Sequence, residues 1–551
     1  MASAPQIMLP AARPRRLFRW PLLVVVAVVI VFGRSVGFDF VSLDDEVHLV
    51  RNPYLNPFTL HGLAAFWTEP YQGLYIPATY TAWGLLTFPA RVLPSMPGGP
   101  TLDPAIFHLA NVALHAANAV LVWWIVRRVV GDPHAAAVGA LLFALHPVQA
   151  EPVAWASGFK DTFSGFWSLL AIGLFLRAVD PASSRPAWRA YAAATAAFAI
   201  ALCAKPAAVV VPPIAWLLVW ASGNVHPKAT ARLLLPWLCL AIPYVWATHR
   251  QQADAALMTW TPPAVRPLVA ADALAFYARQ LVWPADLAID YGRTPRWVWN
   301  HAGGSVAVGL ATAGVGTAAL LWFARRRGRA VVAGLAVVVV GVGPVLGLVP
   351  FIFQQFSTVS DRYLYLPMLG VALIAGWAVR ATGRMGGRVA VVVLIALAVR
   401  SGIQVGVWRD SAALFAHNLT VNPDSAMSYA GLGLAAERAN DLLAAEAYDR
   451  QAAALGAAMD APDPTYEVAL ARVLNREPGR SAEARAHGAL ATIAAARRLL
   501  SLDPDSPLAH RSLAGAYAVL GHPADAAAES ALANRLQAVG HTEVRPPGVG
   551  W

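Results

Sequence analysis

Residues 107–128 read FHLANVALHAANAVLVWWIVRR. The apolar part is about twenty residues long, enough for a helix to cross the hydrocarbon core of a bilayer, and it closes on Arg127-Arg128. Similar runs recur near 17–36, 134–150, 162–179, 188–204, 206–222, 233–249, 304–323, 330–350, 363–379 and 388–406, giving eleven expected spans with 107–126 included. The predicted fold class is therefore all-α: a polytopic membrane domain over 17–406 with a helical C-terminal domain. Composition agrees. Of 551 residues, 58% are hydrophobic and 13% are charged, about half the charge of ordinary soluble domains. That excludes a typical water-soluble enzyme, and it excludes disorder, which goes with abundant charge and few large apolar residues.

Lys and Arg number 42 against 31 Asp and Glu, a formal net charge of +11. The basic residues cluster between apolar runs: Arg13, Arg15, Arg16 and Arg19; Arg127 and Arg128; Arg325, Arg326, Arg327 and Arg329; Arg380, Arg384 and Arg388. This is the signature of cytoplasmic loops and argues against nucleic acid as a partner. It places the tail 1–16 in the cytoplasm. No small-x-small cleavage site follows the first run, which ends Phe32-Gly33-Arg34, so an uncleaved first span is expected. Residues 267–283 are apolar but interrupted by Asp272, Arg279 and Gln280. If they crossed, the 325–329 arginines would move outside, so an interfacial or re-entrant helix is expected there. The outer loops are then 37–106, which is the largest, 151–161, 205, 250–303 and 351–362. The expected location is the cell's inner (plasma) membrane, multi-pass, with the working face extracytoplasmic. Cys203 and Cys239 both lie in apolar runs, so neither a disulfide framework nor a cysteine nucleophile is expected.

From about residue 407 charge returns and long apolar runs stop. Asn422-Pro-Asp-Ser-Ala-Met-Ser-Tyr-Ala-Gly-Leu-Gly433 matches Asp503-Pro-Asp-Ser-Pro-Leu-Ala-His-Arg-Ser-Leu-Ala514 at an offset of 81. Each copy precedes an Ala-rich amphipathic helix pair, with Ala445, Ala452, Ala526 and Ala533 at expected crossing points. Residues 407–540 resemble tetratricopeptide (TPR) helical hairpins, with an irregular middle unit at 464–500, since 81 is not a multiple of the usual 34-residue period. An unspecialised Ala-rich bundle is the alternative. Residues 541–551 are expected to be a disordered tail.

Four outer segments carry polar chemistry. Asp44-Asp45-Glu46, soon after the first span, suits a general base, a metal ligand or a solvated loop. His146, Glu151, Trp155, Lys160 and Asp161 crowd a short connector between two spans. Lys160 there can meet a phosphate as a point charge, and Trp155 also suits an interfacial aromatic belt. Asp361-Arg362-Tyr363-Leu364-Tyr365 stands at the mouth of a span, where Arg362 can snorkel or grip a lipid phosphate. Trp283-Pro284 with Asp290-Tyr291 is weak alone. No P-loop, dinucleotide fingerprint or G-x-S-x-G appears, and His146 and Glu151 lack a metalloprotease spacing.

Taken together, Asp44-Asp45, Asn52-Pro53, Tyr75-Ile-Pro77, Phe107-His108 through Asn118, His146-Pro147 with Glu151 and Trp155, Trp283-Pro284 with Asp290-Tyr291, and Asp361 through Pro367 ahead of the tail resemble one family. It is that of the transmembrane-and-TPR-repeat protein O-mannosyltransferases and their bacterial relatives, glycosyltransferases of the GT-C fold. The resemblance covers about residues 35–535. It implies a sugar, with mannose the first choice, moved from a polyprenyl-phosphate donor to an acceptor hydroxyl, on protein Ser/Thr or on a glycan, with inversion. It implies that Asp44 or Asp45 is the catalytic base. It implies that Glu46, His146, Glu151, Trp155, Lys160, Asp161, Asp290, Tyr291, Asp361, Arg362 and Tyr365 bind substrate, with Arg362 and Lys160 near the lipid phosphate. Lys160-Asp161 and Asp361 depart from the usual residues but keep their charge sign. No cofactor is expected, and a divalent metal is left open. Partners implied are the lipid-linked sugar, membrane lipids and an acceptor held by the TPR-like domain. A glycan-directed ligase, a non-enzymatic TPR scaffold and a transporter are the rival readings.

Overall fold

The computed structural model describes residues 19–92, 102–181, 187–223, 227–251, 261–301, 328–459, 463–476, 481–502 and 504–538, with isolated positions between 302 and 327. The expected cytoplasmic tail 1–16, the span 304–323, most of the 325–329 arginine cluster and the tail 541–551 lie outside the described residues. Among those described, the chain is all-helical apart from turns and three isolated bridges.

The stretch first quoted forms the helix Pro104–Val130. Asp103 caps its start by accepting from the Ala105 N–H, and Gly131 ends it in the left-handed region (φ +79°). Asp132 then caps the antiparallel helix Pro133–Leu145 through the Ala135 N–H, so Gly131-Asp132-Pro133 is a complete turn. Helices Arg19–Gly37, Pro104–Val130, Ala187–Ala204, Lys228–Thr248 and Met368–Arg409 are long and apolar enough to cross a membrane, and the bent pair Pro133–Leu145 with Pro147–Ala154 is a sixth. The other expected spans differ from these for visible reasons. Phe159–Ala178 carries Lys160, Asp161 and Arg177, while Pro206–Ser222 and Arg329–Val345 are short. The runs at 363–379 and 388–406 join in one helical stretch, Met368–Val405, broken at Gly383 (φ +61°) among the expected cytoplasmic arginines. The ambiguous segment is a helix, Arg266–Val282, tied to the loop beyond it by Asp272 and Arg293.

Small residues let these helices approach closely, as membrane helices require when lipid offers no hydrophobic contrast. A Cβ on Gly139 would stand 2.3 Å from the Ala372 carbonyl, and one on Gly370 would stand 2.2 Å from that of Gly334.

The tail is the helix Ser411–Val421 followed by three helical hairpins: Ala426–Arg438 with Leu442–Ala457, Thr465–Arg476 with Ala482–Leu502, and Pro507–Val519 with Pro523–Ala538. The repeated Pro-Asp-Ser is a pair of helix starts. Ser425 accepts from the Ser428 N–H and Ser506 from the Ala509 N–H. The offset of 81 spans two hairpins, the second lengthened by a 21-residue helix. Buried Ala445, Ala452 and Ala533 sit where helices touch.

The Gly139 contact gives a test of this packing. Gly139→Val is expected to lower stability by about 1–3 kcal/mol through overpacking. Thermal unfolding of the detergent-solubilised protein would show a reduced midpoint, while Gly402→Ala, inside a helix at a position with open space around it, should not lower the midpoint.

Candidate active site

The connector after Pro133–Leu145 bends by 54° and runs through short helical turns at Pro147–Gln149, Ala150–Ala154 and Ala156–Gly158 before Phe159–Ala178 begins. Its prolines cannot continue a regular ladder, and at the break the Ala144 carbonyl is met by His115 Nε2 (3.0 Å) and the Phe143 carbonyl by the Gln149 amide (3.1 Å). The helix Pro104–Val130 lays a polar stripe against this connector and the helix that follows. Asn111 donates to the Trp155 carbonyl (2.6 Å) and Asn118 to the Thr162 carbonyl (2.8 Å), while the Thr162 hydroxyl donates to Asn111 (2.9 Å).

Three acid–base pairs meet on this connector. The Lys160 ammonium lies 2.5 Å from Asp44, Arg362 lies 2.5 Å from Glu151, and Lys205 pairs with Asp161. Trp155 lies between two of the cations. Lys160 Nζ is 4.8 Å and the Arg362 guanidinium carbon 5.8 Å from its ring centre. Arg362 also stands 4.4 Å over Phe353, and Lys205 5.9 Å over Tyr363. Glu151 is fully engaged, accepting from the Ser360 hydroxyl at 3.1 Å and the Arg362 N–H at 2.9 Å besides the guanidinium. Exposure separates the carboxylates. Glu151 and Asp161 keep 3% and 5% beneath cations at 12% and 22%, but Asp44 keeps 14% beside Lys160 at 11%. Asp44 is thus the acid of the three that stands as open as its partner.

Electrostatics follow from this arrangement. Burial alone would raise the Asp44 carboxyl, but Lys160, with lesser help from His48 and Arg362, holds it down at about 2. Its neighbour Asp45 is different. Fully buried, it accepts from the Val41 N–H (3.0 Å) and the Ser157 N–H (2.8 Å), and burial pushes it up to about 7 despite those bonds. Asp45 fastens the loop after the first long helix to the connector. Burial lowers Lys205, with Asp161 opposing and Arg362 and Lys160 adding to the decrease. Burial would also lower Arg362, but Glu151 more than offsets it and keeps the guanidinium charged.

Of the residues singled out from sequence, the fold gathers Asp44, Glu151, Trp155, Lys160, Asp161 and Arg362, with Asp45 directly behind. Tyr291 and Asp361 form a layer beneath Glu151, the Tyr291 hydroxyl donating to Asp361 at 2.8 Å. Burial and then Glu151 raise the Asp361 carboxyl. Four others sit elsewhere. His146 bonds the Leu281 carbonyl (3.2 Å) within a turn, and Tyr365 meets His115 (3.0 Å) and Asn118 (2.8 Å) inside the bundle. Glu46 and Asp290 face the C-terminal domain, Glu46 meeting Arg438 and Asp290 accepting from Asn422 and Ser425. Lys205 is the functional candidate that sequence reading passed over as a one-residue loop. Its signal is a lone lysine between two apolar runs, where an ionisable group is costly unless used. His48 is another: next to Asp44, bonded to Tyr80 at 2.9 Å, and lowered by burial to about 4. Among the described residues no three His, Cys, Asp or Glu side chains group to hold a metal ion.

No family model matches the chain. It is similar to protein O-mannosyl-transferases: 33% identical to TMTC4 of Homo sapiens over 171 residues (28% of this chain, 22% of the relative), 32% to TMTC1 of Mus musculus over 154 (27% and 16%), and 29% to TMTC3 of Mus musculus over 170 (30% and 18%). The matched stretches thus span less than a quarter of these relatives' length. Among solved structures, the apo oligosaccharyltransferase of Archaeoglobus fulgidus aligns over 80% of this chain and 60% of its own at 14% identity, with a TM-score of 0.38. That superposition is too loose to carry weight for function.

The buried Arg362–Glu151 pair predicts an asymmetric mutational response. Arg362→Met leaves an unpaired buried carboxylate and is expected to cost about 3–5 kcal/mol. Adding Glu151→Gln removes the stranded charge, so the double variant should unfold at a higher temperature than Arg362→Met alone.

Proposed function

We propose that the chain is a membrane glycosyltransferase that moves a sugar, mannose first, from a polyprenyl-phosphate donor to an acceptor hydroxyl on protein Ser/Thr. One observation carries this reading: the cations Lys160 and Arg362 flank Trp155, with Lys205 over neighbouring Tyr363, beside Asp44, the least buried of the three paired carboxylates. The similarity to protein O-mannosyl-transferases supports it.

The donor phosphodiester carries one negative charge, and the departing lipid phosphate gains a second as the sugar–phosphate bond breaks. Fixed cations in a water-poor crevice stabilise that growing charge more than the ground state. Asp44 takes the acceptor proton while the hydroxyl oxygen forms its bond to the anomeric carbon from the opposite face, inverting it. Lys160 couples the two events. A phosphate that draws Lys160 away from Asp44 removes the main influence holding that carboxyl low, so it becomes a stronger base as the donor seats. Asp45 serves as a clamp rather than a base, since both its oxygens are bonded to backbone N–H groups. The hairpin tail is read as a TPR-like arm that presents the acceptor. The membrane domain is read with eleven spans, its N-terminus in the cytoplasm and both crevice and tail on the extracytoplasmic side of the plasma membrane.

Purified protein in vesicles supplied with radiolabelled polyprenyl-phosphate mannose should label an added acceptor protein. Asp44→Asn should cut the rate by about 10²-fold or more, the usual worth of a positioned base, with donor binding retained. An unchanged rate would remove Asp44 from the chemistry, and label in glycan instead of protein would redirect the acceptor.

The acid limb gives a further test. With Asp44 at about 2 in the free protein, the base stays ionised from pH 5 to 8 and its protonation produces no loss of kcat/KM, the parameter that reports the free enzyme, in that window. Lys160→Met leaves burial unopposed by its nearest cation, so the carboxyl rises and the rate should fall on acidification at a higher pH than in the wild type. An acid limb that does not move would contradict the pairing.

A further inference from the structure

The C-terminal domain does not hang from the membrane domain on a linker. It is bonded into the acidic loop that carries Asp44. Arg438, the last residue of the helix Ala426–Arg438, donates to both Glu46 oxygens (2.8 and 2.7 Å) and to the Ser42 hydroxyl (3.0 Å). Ser411 receives the Ser42 N–H (2.8 Å) and donates to its hydroxyl (3.1 Å). The Asp39 N–H donates to the Arg409 carbonyl (3.1 Å). Every bond from this side falls within residues 39–46, on both flanks of Asp44. From the other side, Asp45 ties the same loop to Ser157. Asp44 thus stands between a clamp to the second outer loop and a clamp to the tail.

Glu46 matters because of where it sits. Two residues beyond Asp44, at the start of the short π-helical turn Glu46–Val50, it shares its carboxylate between Arg438 and Arg51 (2.5 Å). A shift of the Glu46 backbone moves Asp44 with it. Fixed catalytic geometry tolerates little of this, since a displacement of about 1 Å at a reacting group costs on the order of 10²-fold in rate.

We propose that Arg438 of the C-terminal domain is a positioning residue of the active site, which sets Asp44 through Glu46 and Ser42 and so makes the first hairpin of the tail a working part of the membrane enzyme. The role in transfer rests on Asp44 being the base; the mechanical role does not. A tail that only presents acceptor would set substrate affinity and leave the acidic loop alone. A tail that holds the loop sets the turnover of bound substrates.

Two readouts on the full-length protein in detergent or nanodiscs test this. The first needs no activity: hydrogen exchange followed by mass spectrometry. Arg438→Ala should raise exchange in residues 41–51 by about ten-fold or more through local opening, with peptides of Pro104–Val130 unchanged. Arg450→Ala, which removes an exposed pair within the tail, should change neither. The second is transfer kinetics. Arg438→Ala should lower kcat about ten-fold while donor KM stays within two-fold, because Lys160, Lys205 and Arg362 are untouched. Ser42→Cys with Ser411→Cys, oxidised to a disulfide in the Arg438→Ala background, should restore both protection and kcat by replacing the lost clamp. If exchange in 41–51 matches the wild type in Arg438→Ala, the proposal fails, whether or not transfer is seen. If protection is lost but no donor yields transfer by the wild type, the clamp stands and the glycosyltransferase reading fails. If Arg438→Ala does not fold, the disulfide variant with Arg438 intact must show slower exchange in 41–51 than its reduced form; equal exchange would overturn the proposal.

Discussion

The structure turns on the cost of taking charge out of water. Three cations stand at one end of a helical bundle in a protein with little charge to spare, and each is held by a carboxylate: Lys160 by Asp44, Lys205 by Asp161, Arg362 by Glu151. Removing either member of a buried pair leaves an uncompensated charge, so the pairs fix the relative positions of the loops that supply them. Those loops are far apart in sequence. The loop after the first long helix gives Asp44, the broken connector and the helix after it give Glu151, Trp155, Lys160 and Asp161, a one-residue gap between helices gives Lys205, and the segment before the last long helix gives Arg362. Satisfying charge brings these segments together, each cation matched by one carboxylate.

Much of this was legible in the chain. Long apolar runs and arginine-rich turns give an all-helical membrane protein, and crowded polar residues at 146–161 and 360–365 mark the loops that meet. Lys205 was hard to see because a single lysine between apolar runs has no periodicity to announce it; only the fold reveals that Asp161 waits for it. The choice between Asp44 and Asp45 was equally closed to sequence, since adjacent identical acids differ only in what surrounds them. Backbone N–H groups surround Asp45, and the Lys160 ammonium meets Asp44. The stripe Asn111, His115 and Asn118 is spaced for one helix face, yet its partners, the Trp155, Ala144 and Thr162 carbonyls, lie 29 to 44 residues later and only the fold brings them opposite it. Glu46 and Asp290 showed acidity but not direction. Both turn toward the tail, and nothing local in the sequence says so.

The tail changes meaning in the same light. Read alone, it is a short stack of Ala-rich hairpins suited to holding a partner. In the folded chain its first helices share hydrogen bonds with the acidic loop, through Ser411 of Ser411–Val421 and Arg438 of the first hairpin, and with the 283–292 loop through Asn418, Asn422 and Ser425. Acceptor presentation and base positioning would then be two uses of one rigid junction.

In the proposed reaction Lys160, Lys205 and Arg362 seat a lipid phosphate and Asp44 faces the transferred sugar. Electron cryomicroscopy of the protein with bound polyprenyl phosphate tests this arrangement. Phosphate density is expected within hydrogen-bonding distance of Lys160 and Arg362, beside Trp155, with Lys160 drawn away from Asp44. Phosphate density elsewhere in the bundle, with all three acid–base pairs intact, would contradict it.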